Sequence, residues 1–210
     1  MNTKRYFLVA ALSAVTAFSN ALWAQTAIEA PDALVKRLAV EVTEAVKADK
    51  TLAAGDIAKV AALIDSKVIP FVNFQRMTAS SVGPGWRSAT PEQQKRLQEE
   101  FKMLLIRTYA GAVKEIKDQT VTVKPLKAAP DDMNVIVRSE VRGKGEPIQL
   151  DYRVGKVQDG ASAVWKIYDI NILGVWLVET YRGQFSQEIN ANGIDGLIKL
   201  LTERNKGVKK

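Results

Sequence analysis

The spacing of apolar residues along this chain changes near Thr120 from a helical period to a strand period, and it changes back beyond Asn171. Before the switch, Pro31 opens a helix to about Lys47, with Leu34, Val35, Leu38, Val42, Ala45 and Val46 on one face. Asp56 is placed to cap a second helix carrying Ile57, Val60, Ala61 and Ile64, which Pro70 interrupts. The apolar run Val68 to Phe74 reaches for the core, and Ser81 to Trp86 reads as a turn-rich loop. Thr90-Pro91-Glu92-Gln93 carries a capping box, and the helix that follows runs to about Lys117 with Leu97, Phe101, Leu104, Leu105, Thr108, Ala112 and Ile116 on its buried side. After the switch, Val121/Val123, Val135/Val137/Val141, Ile148/Leu150/Tyr152/Val154 and Trp165/Ile167 alternate with polar residues. Short turns separate them, so the spacing predicts a four-stranded antiparallel meander with one wet face. Val178, Tyr181, Phe185 and Ile189 then share a helical face, Gly193 stops that helix, and Asp195 is placed to cap a last one. Helices, sheet and helices again make an α+β domain.

Composition closes off many functions. The 210 residues include neither cysteine nor histidine. That excludes disulfides, thiolate nucleophiles, iron–sulfur clusters, lipidated cysteine and a Ser-His-Asp triad, and it removes the commonest zinc ligand. Lys4 and Arg5, an apolar run from Tyr6 to about Phe18 and the small residues before Gln25 form a secretory leader. Its cleavage is placed after Ala24, with Ala21 as the second candidate. The run is too short to span a ~30 Å hydrocarbon core. Its removal deletes two positive charges and no negative ones, taking the formal charge from +7 to +5. Residues 25–210 then form one domain with a basic tail from Arg204 to Lys210, in a compartment that makes nucleic acid a poor partner and anionic surfaces a good one.

Aromatic residues are numerous for one small sheet, and Ile170 to Val178 is almost continuously apolar around Gly174, as at the mouth of a cavity or groove. Asp151-Tyr152 and Tyr168-Asp169 are the carboxylate–phenol pairs that could support proton transfer. The alternation turns Asp151 toward water, and Asp169 fits a local hydrogen bond at a strand end. Gly83-Pro84-Gly85 lacks the Lys-Ser/Thr and the preceding strand of a phosphate loop.

Three segments carry a resemblance. Gly85-Trp86-Arg87-Ser88-Ala89-Thr90-Pro91-Glu92-Gln93 is one, and Phe101 through Leu104-Leu105 to Thr108-Tyr109 is the second. The third runs from Trp165-Lys166-Ile167-Tyr168-Asp169-Ile170 through Gly174-Val175-Trp176-Leu177-Val178 to Tyr181-Arg182-Gly183-Gln184-Phe185. In these, and in order over residues 30–203, the chain resembles the MlaC family, the periplasmic phospholipid carriers also called toluene-tolerance auxiliary components. Trp176 stands where that family usually has serine, and Val82-Gly83 replaces a usual Leu-Gly.

The resemblance implies a nuclear-transport-factor-2-like cone, a curved sheet wrapped by about five to seven helices around an apolar cavity. It implies a phospholipid cargo with no cofactor. The partners it implies are an outer-membrane lipoprotein–porin complex and an inner-membrane ABC transporter complex with an MCE-type ring, served in the periplasm; a monomer is expected because a shuttle benefits from being small. The acyl tails are expected between sheet residues Val137, Val141, Ile148, Leu150, Tyr152, Trp165 and Ile167 and helical residues Phe101, Leu104, Leu105 and Tyr109. Phe74, Trp86, Val175, Trp176, Val178 and Tyr181 are expected to complete the lining, with Arg87 or Arg182 near the phosphate. Two other readings stand beside this one. An isomerase or dehydratase on the same fold would use Asp and Tyr in a compact, polar-ended cavity, and a surface-acting adaptor would have a packed core and no ligand.

Overall fold

The computed structural model describes residues 28–114, 116, 119–129, 131–143, 145–160 and 162–207. The leader and the last three residues of the basic tail lie outside them. Among the described residues there are seven α-helices and a five-stranded antiparallel sheet in the order β1-β2-β3-β4-β5. The α+β class and the meander are as the hydrophobic period predicts. The additional strand is β5, two residues (Val175–Trp176) that turn back against the end of β4 (Ser162–Ile172).

Helix α1 spans Pro31–Ala48, the single-turn α2 Lys50–Ala53 and α3 Ile57–Leu63, with Asp56 accepting Lys59 N–H at the α3 cap (2.9 Å). A π-helical stretch, Ile64–Val68, and a 3-10 turn, Ile69–Phe71, carry the chain to α4 (Phe74–Val82). Ser81 and Val82, expected in a loop, are the buried end of α4, where Ser81 Oγ donates to Met77 C=O (3.0 Å). The break falls at Gly83, and α5 (Gly85–Ser88) follows. Helix α6, Pro91–Val113, begins with the anticipated reciprocal cap between Thr90 and Gln93 and ends short of Lys117.

Strands β1 (Thr120–Val123), β2 (Asn134–Arg142) and β3 (Ile148–Asp159) complete the sheet with β4 and β5. Register puts Val135, Val137, Ser139 and Val141 on the same face as Val154, Tyr152, Leu150 and Ile148. A bulge leaves Tyr168 as the extra residue, because Val154 pairs with Ile167 while Arg153 pairs with Asp169. Parity in β4 therefore shifts. Trp165 and Ile167 lie on the inner face before the bulge, and Ile170 and Ile172 lie on it afterwards.

Helix α7, Leu177–Lys206, is broken at Gly193 (φ 69°, ψ −171°), where the sequence pattern ends one helix. Asp195, expected as the next cap, accepts Gln93 Nε2 of α6 (2.7 Å). Three apolar clusters result. One packs α4, α6 and α7 around Phe101, Phe185, Leu197 and Leu201. A second seats Leu34, Val35 and Leu38 of α1 on Val137, Val154, Trp165 and Ile167 of the sheet. The third joins α1, α2, α3 and α6 through Val46, Val60, Leu63 and Ile106.

Candidate functional site

The inner face of the sheet is covered unequally. At one end α1 buries Val137 and Val154 completely and Trp165 and Ile167 nearly so. At the other, Val141, Ile148, Leu150 and Tyr152 stay half-buried although all point inward. Ile170 and Ile172 pair with Tyr152 and Leu150 and extend this wall sideways to the helical cluster, against which Leu105 and Tyr109 also pack. Helix α6 packs chiefly on α7, α3 and α4, not on the sheet. A strip of apolar side chains is left between the two packed cores without a close-fitting layer over it.

The polar groups in this strip are few and committed. Ser139 Oγ donates to Leu150 C=O (3.0 Å) and also bonds the Tyr152 phenol. Burial lifts the Tyr152 phenol above the ordinary tyrosine range, the Ser139 bond works against that rise, and the Asp151 charge adds to it. Burial raises the Tyr109 phenol as well, and its interaction with Tyr181 adds to the shift. Both phenols therefore stay neutral across physiological pH, and the strip offers an acyl chain no charge.

The expected lining residues sort into three groups. Val141, Ile148, Leu150 and Tyr152 lie on the inner face of the strip, and Leu105 and Tyr109 are half-buried against the helical cluster. Val137, Trp165 and Ile167 lie under α1, while Phe74, Phe101, Leu104, Val178 and Tyr181 are packed into the helical cluster. Phe101 there is fully buried, edge-on to Tyr181 and Phe185 with ring centroids 4.9 and 5.2 Å away. Trp86 packs against that cluster from α5, whose Gly85 abuts Ile189 and Ile194 about the α7 break. Val175 is exposed at the sheet edge, and Trp176 pairs with Asn171 on the outer face, away from the strip. The sequence marks the run from Ile170 to Val178 as a cavity mouth or groove but leaves Ile170 and Ile172 out of the expected tail lining. Their signal was the parity change after Tyr168, which an unbroken alternation from Trp165 conceals.

The outer face holds Asp151, Tyr168 and Asp169 of the candidate acid–base pairs, while Tyr152 lies on the inner face. Asp151 points outward, as the alternation demands, but it is 9% exposed and takes the Gln149 amide, so it is covered where solvation was expected. Tyr168, pushed out by the bulge, lies under the Arg76 guanidinium at 3.5 Å. Asp169 is fully buried and accepts three hydrogen bonds. One oxygen accepts Ile170 N–H (2.9 Å) and Val178 N–H (3.0 Å), and the other accepts Arg153 (2.8 Å). Trp176 is the N-cap of α7 and cannot cap it, so Asp169 supplies the missing acceptor from the neighbouring strand. A serine at that position would have been a cap of its own. Arg153 meanwhile stacks on the Trp176 ring (3.9 Å) and pairs with Glu179 (3.0 Å).

Burial raises the Asp169 pKa above the ordinary carboxylate value, against the pull of both N–H groups and Arg153. A cavity of about 150 Å³ beside it is lined by Arg153, Tyr168, Glu179 and Arg182. It is smaller than the ~300–1,000 Å³ of ordinary ligand pockets. Arg182, named as a phosphate candidate, donates there to Ser80 C=O (2.8 Å), and Arg87 is exposed on α5. A second cavity, about 280 Å³, opens at the α1 end between Leu34, Phe71 and Trp165. Among the described residues no group of acidic side chains is arranged to hold a metal ion, and no helix is long and apolar enough to cross a membrane.

Comparison with known proteins decides what this arrangement is related to. The family model for the MlaC protein matches residues 36–203. The chain belongs to the MlaC family. It is 47% identical to a phospholipid-binding protein from Ralstonia solanacearum, solved in complex with a phospholipid. The two superpose with a TM-score of 0.79 over 85% of this chain and 98% of that one. It is 25% identical over 93% of its length to the intermembrane phospholipid transport system binding protein MlaC of Haemophilus influenzae, covering 90% of that protein. It is also 33% identical over 109 residues to the toluene tolerance protein ttg2D of Pseudomonas putida, a match spanning 52% of this chain and 49% of that protein.

Proposed function

We propose that this MlaC-family chain is a periplasmic phospholipid carrier that holds acyl tails against the half-buried strip and leaves the headgroup outside. The observation that carries the reading is an inward-facing apolar wall of Val141, Ile148, Leu150, Tyr152, Ile170 and Ile172 that the packed cores do not close. The likeness to a protein solved with a phospholipid supports it. Leu105 and Tyr109 form the opposite side, and the residues under α1 and inside the helical cluster support these two surfaces.

Energetics favour a carrier. Two tails with about 30 methylenes, at ~0.8 kcal/mol each, gain roughly 24 kcal/mol on leaving water. That exceeds the ~18–21 kcal/mol ceiling of non-covalent affinity, so water is the wrong reference state. A bilayer shelters tails as well as the wall does, so exchange between the two is nearly balanced and reversible. The barrier lies in exposing tails on the way.

The chain shuttles, on this reading, as a monomer between an outer-membrane lipoprotein–porin complex and an inner-membrane ABC transporter with an MCE-type ring. Catalysis by Asp169 is the weaker alternative, because three hydrogen bonds commit its carboxylate to joining β4, the start of α7 and Arg153. Native mass spectrometry of the purified mature protein tests the reading. One added mass equal to a diacyl phospholipid is expected, and uniformly empty protein from a phospholipid-rich envelope contradicts it.

A further inference from the structure

The hairpin joining β4 to β5 has a turn that its sequence does not suit. Ile172 pairs with Val175, so the loop is two residues, Leu173 and Gly174. Both have positive φ, 52° and 89°. A two-residue hairpin loop of this hand favours Asn-Gly, because a side chain in the left-handed region crowds its own backbone. Gly174 meets that demand and Leu173 does not. Nor does Leu173 gain burial in exchange. It is 65% exposed, the highest value among the large exposed hydrophobic residues described, and Val175 beside it is 53% exposed. The other residues of this kind, such as Met133, Ile136 and Val40, sit on separate elements.

The tip is held in place. Leu173 N–H donates to Gln149 C=O (3.1 Å), and Gly174 N–H donates to Asn171 Oδ1 (2.8 Å). A fixed, strained and exposed apolar residue calls for a role outside folding. Its position supplies one. Ile172, immediately before the turn, pairs with Leu150 on the wall and with Val175 beyond the turn, so the apolar strip continues without a break to the tip. Arg142, paired with Glu140, ends β2 at the same end of the sheet, largely exposed, in a chain whose formal charge is +5 without its leader.

We propose that the Leu173–Val175 tip enters the surface of a phospholipid bilayer and gives an acyl tail an apolar path onto the wall. Every methylene exposed to water on the way raises the transfer barrier. A rim of apolar side chains seated in the bilayer shortens the wet part of that path, and the net positive charge favours anionic headgroups. The proposal rests on the reading of the wall as the tail site.

Leu173→Asn separates the two ideas, since asparagine is the residue the turn prefers and carries no apolar group. Purified protein is mixed with vesicles of phosphatidylethanolamine and phosphatidylglycerol containing a tail-labelled phosphatidylglycerol, and label uptake is followed with no other protein present. The variant should load about tenfold more slowly, reach the same final occupancy and melt no lower than the parent. Val175→Thr, which keeps a β-branched strand residue, should slow loading less. A parent protein that takes up no label contradicts the tail-site reading itself. A parent that loads and a Leu173→Asn variant that loads equally fast overturn the hairpin proposal alone, and assign the tip to a protein partner. Loss of final occupancy in the variant also overturns it, because the tip would then hold lipid and not admit it.

Discussion

The helical cluster and the sheet wall are built from the same kinds of residue and finished differently. Around Phe101, side chains from α4, α6 and α7 interlock until Phe101, Leu97, Leu197 and Leu201 are sealed from solvent. On the wall, Leu150, Ile148 and Val141 face inward yet remain half-open. The contrast teaches that apolar pattern alone marks an inward face but does not say what will cover it. In the cluster the covering is protein. Over the wall it is, on the present reading, cargo.

Truncation should expose this difference most strongly. Phe101→Ala removes a ring packed against those of Phe74, Tyr181 and Phe185 and should cost about 3–5 kcal/mol of stability. Leu150→Ala removes a side chain that water already reaches in part and should cost about 1 kcal/mol or less in lipid-free protein. Urea unfolding of the two variants measures both. Equal losses would mean that the wall is as closely packed as the cluster and would erase the distinction.

The two regions are joined at Asp169, which ties β4 to the start of α7. Asp169→Ala would strand Val178 N–H and Ile170 N–H and leave Arg153 with Glu179 alone as its carboxylate, and a loss of about 2–3 kcal/mol is expected. A parent-like midpoint would show that the junction contributes nothing. A smaller effect concerns pH. Because the folded protein raises the Asp169 pKa, it holds that proton more tightly than the unfolded chain. This contribution is fully present below the ordinary carboxylate pKa of 3.8 and is lost as pH rises through the higher folded value. Asp169→Asn should therefore lack a small gain in stability that the parent shows on acidification through that window. Parallel pH–stability curves for the two proteins would contradict the assignment.

Much of the fold could be read from the sequence because the governing interactions are local. The Thr90–Gln93 capping box, the Asp56 cap, the Gly193 break and the alternation in β2 and β3 each depend on a few neighbouring residues. What escaped depends on distant partners. The β5 strand exists because Val175 and Trp176 find the edge of β4, and the buried end of α4 exists because α6 and α7 pack over it. The candidate site was half legible. Its sheet residues follow from alternation, but the Tyr168 bulge moved Ile170 and Ile172 onto the wall and turned Trp176 away from it. The role of Trp176 as an uncapped helix start could be seen only once Asp169 was found beside Val178 N–H.

The same contrast decides which wall residue makes the better test. Val137 points inward like Leu150 but lies fully buried beneath α1, so a charge there would unfold the protein before it reported on lipid. Leu150→Glu is the sharper probe. The measurement is the phospholipid content of purified Leu150→Glu against the parent, with thermal melting taken on the same samples. The account predicts a folded variant that copurifies with no phospholipid, beside a parent carrying one molecule per chain. A folded variant with the parent's lipid content would show that the tails lie elsewhere.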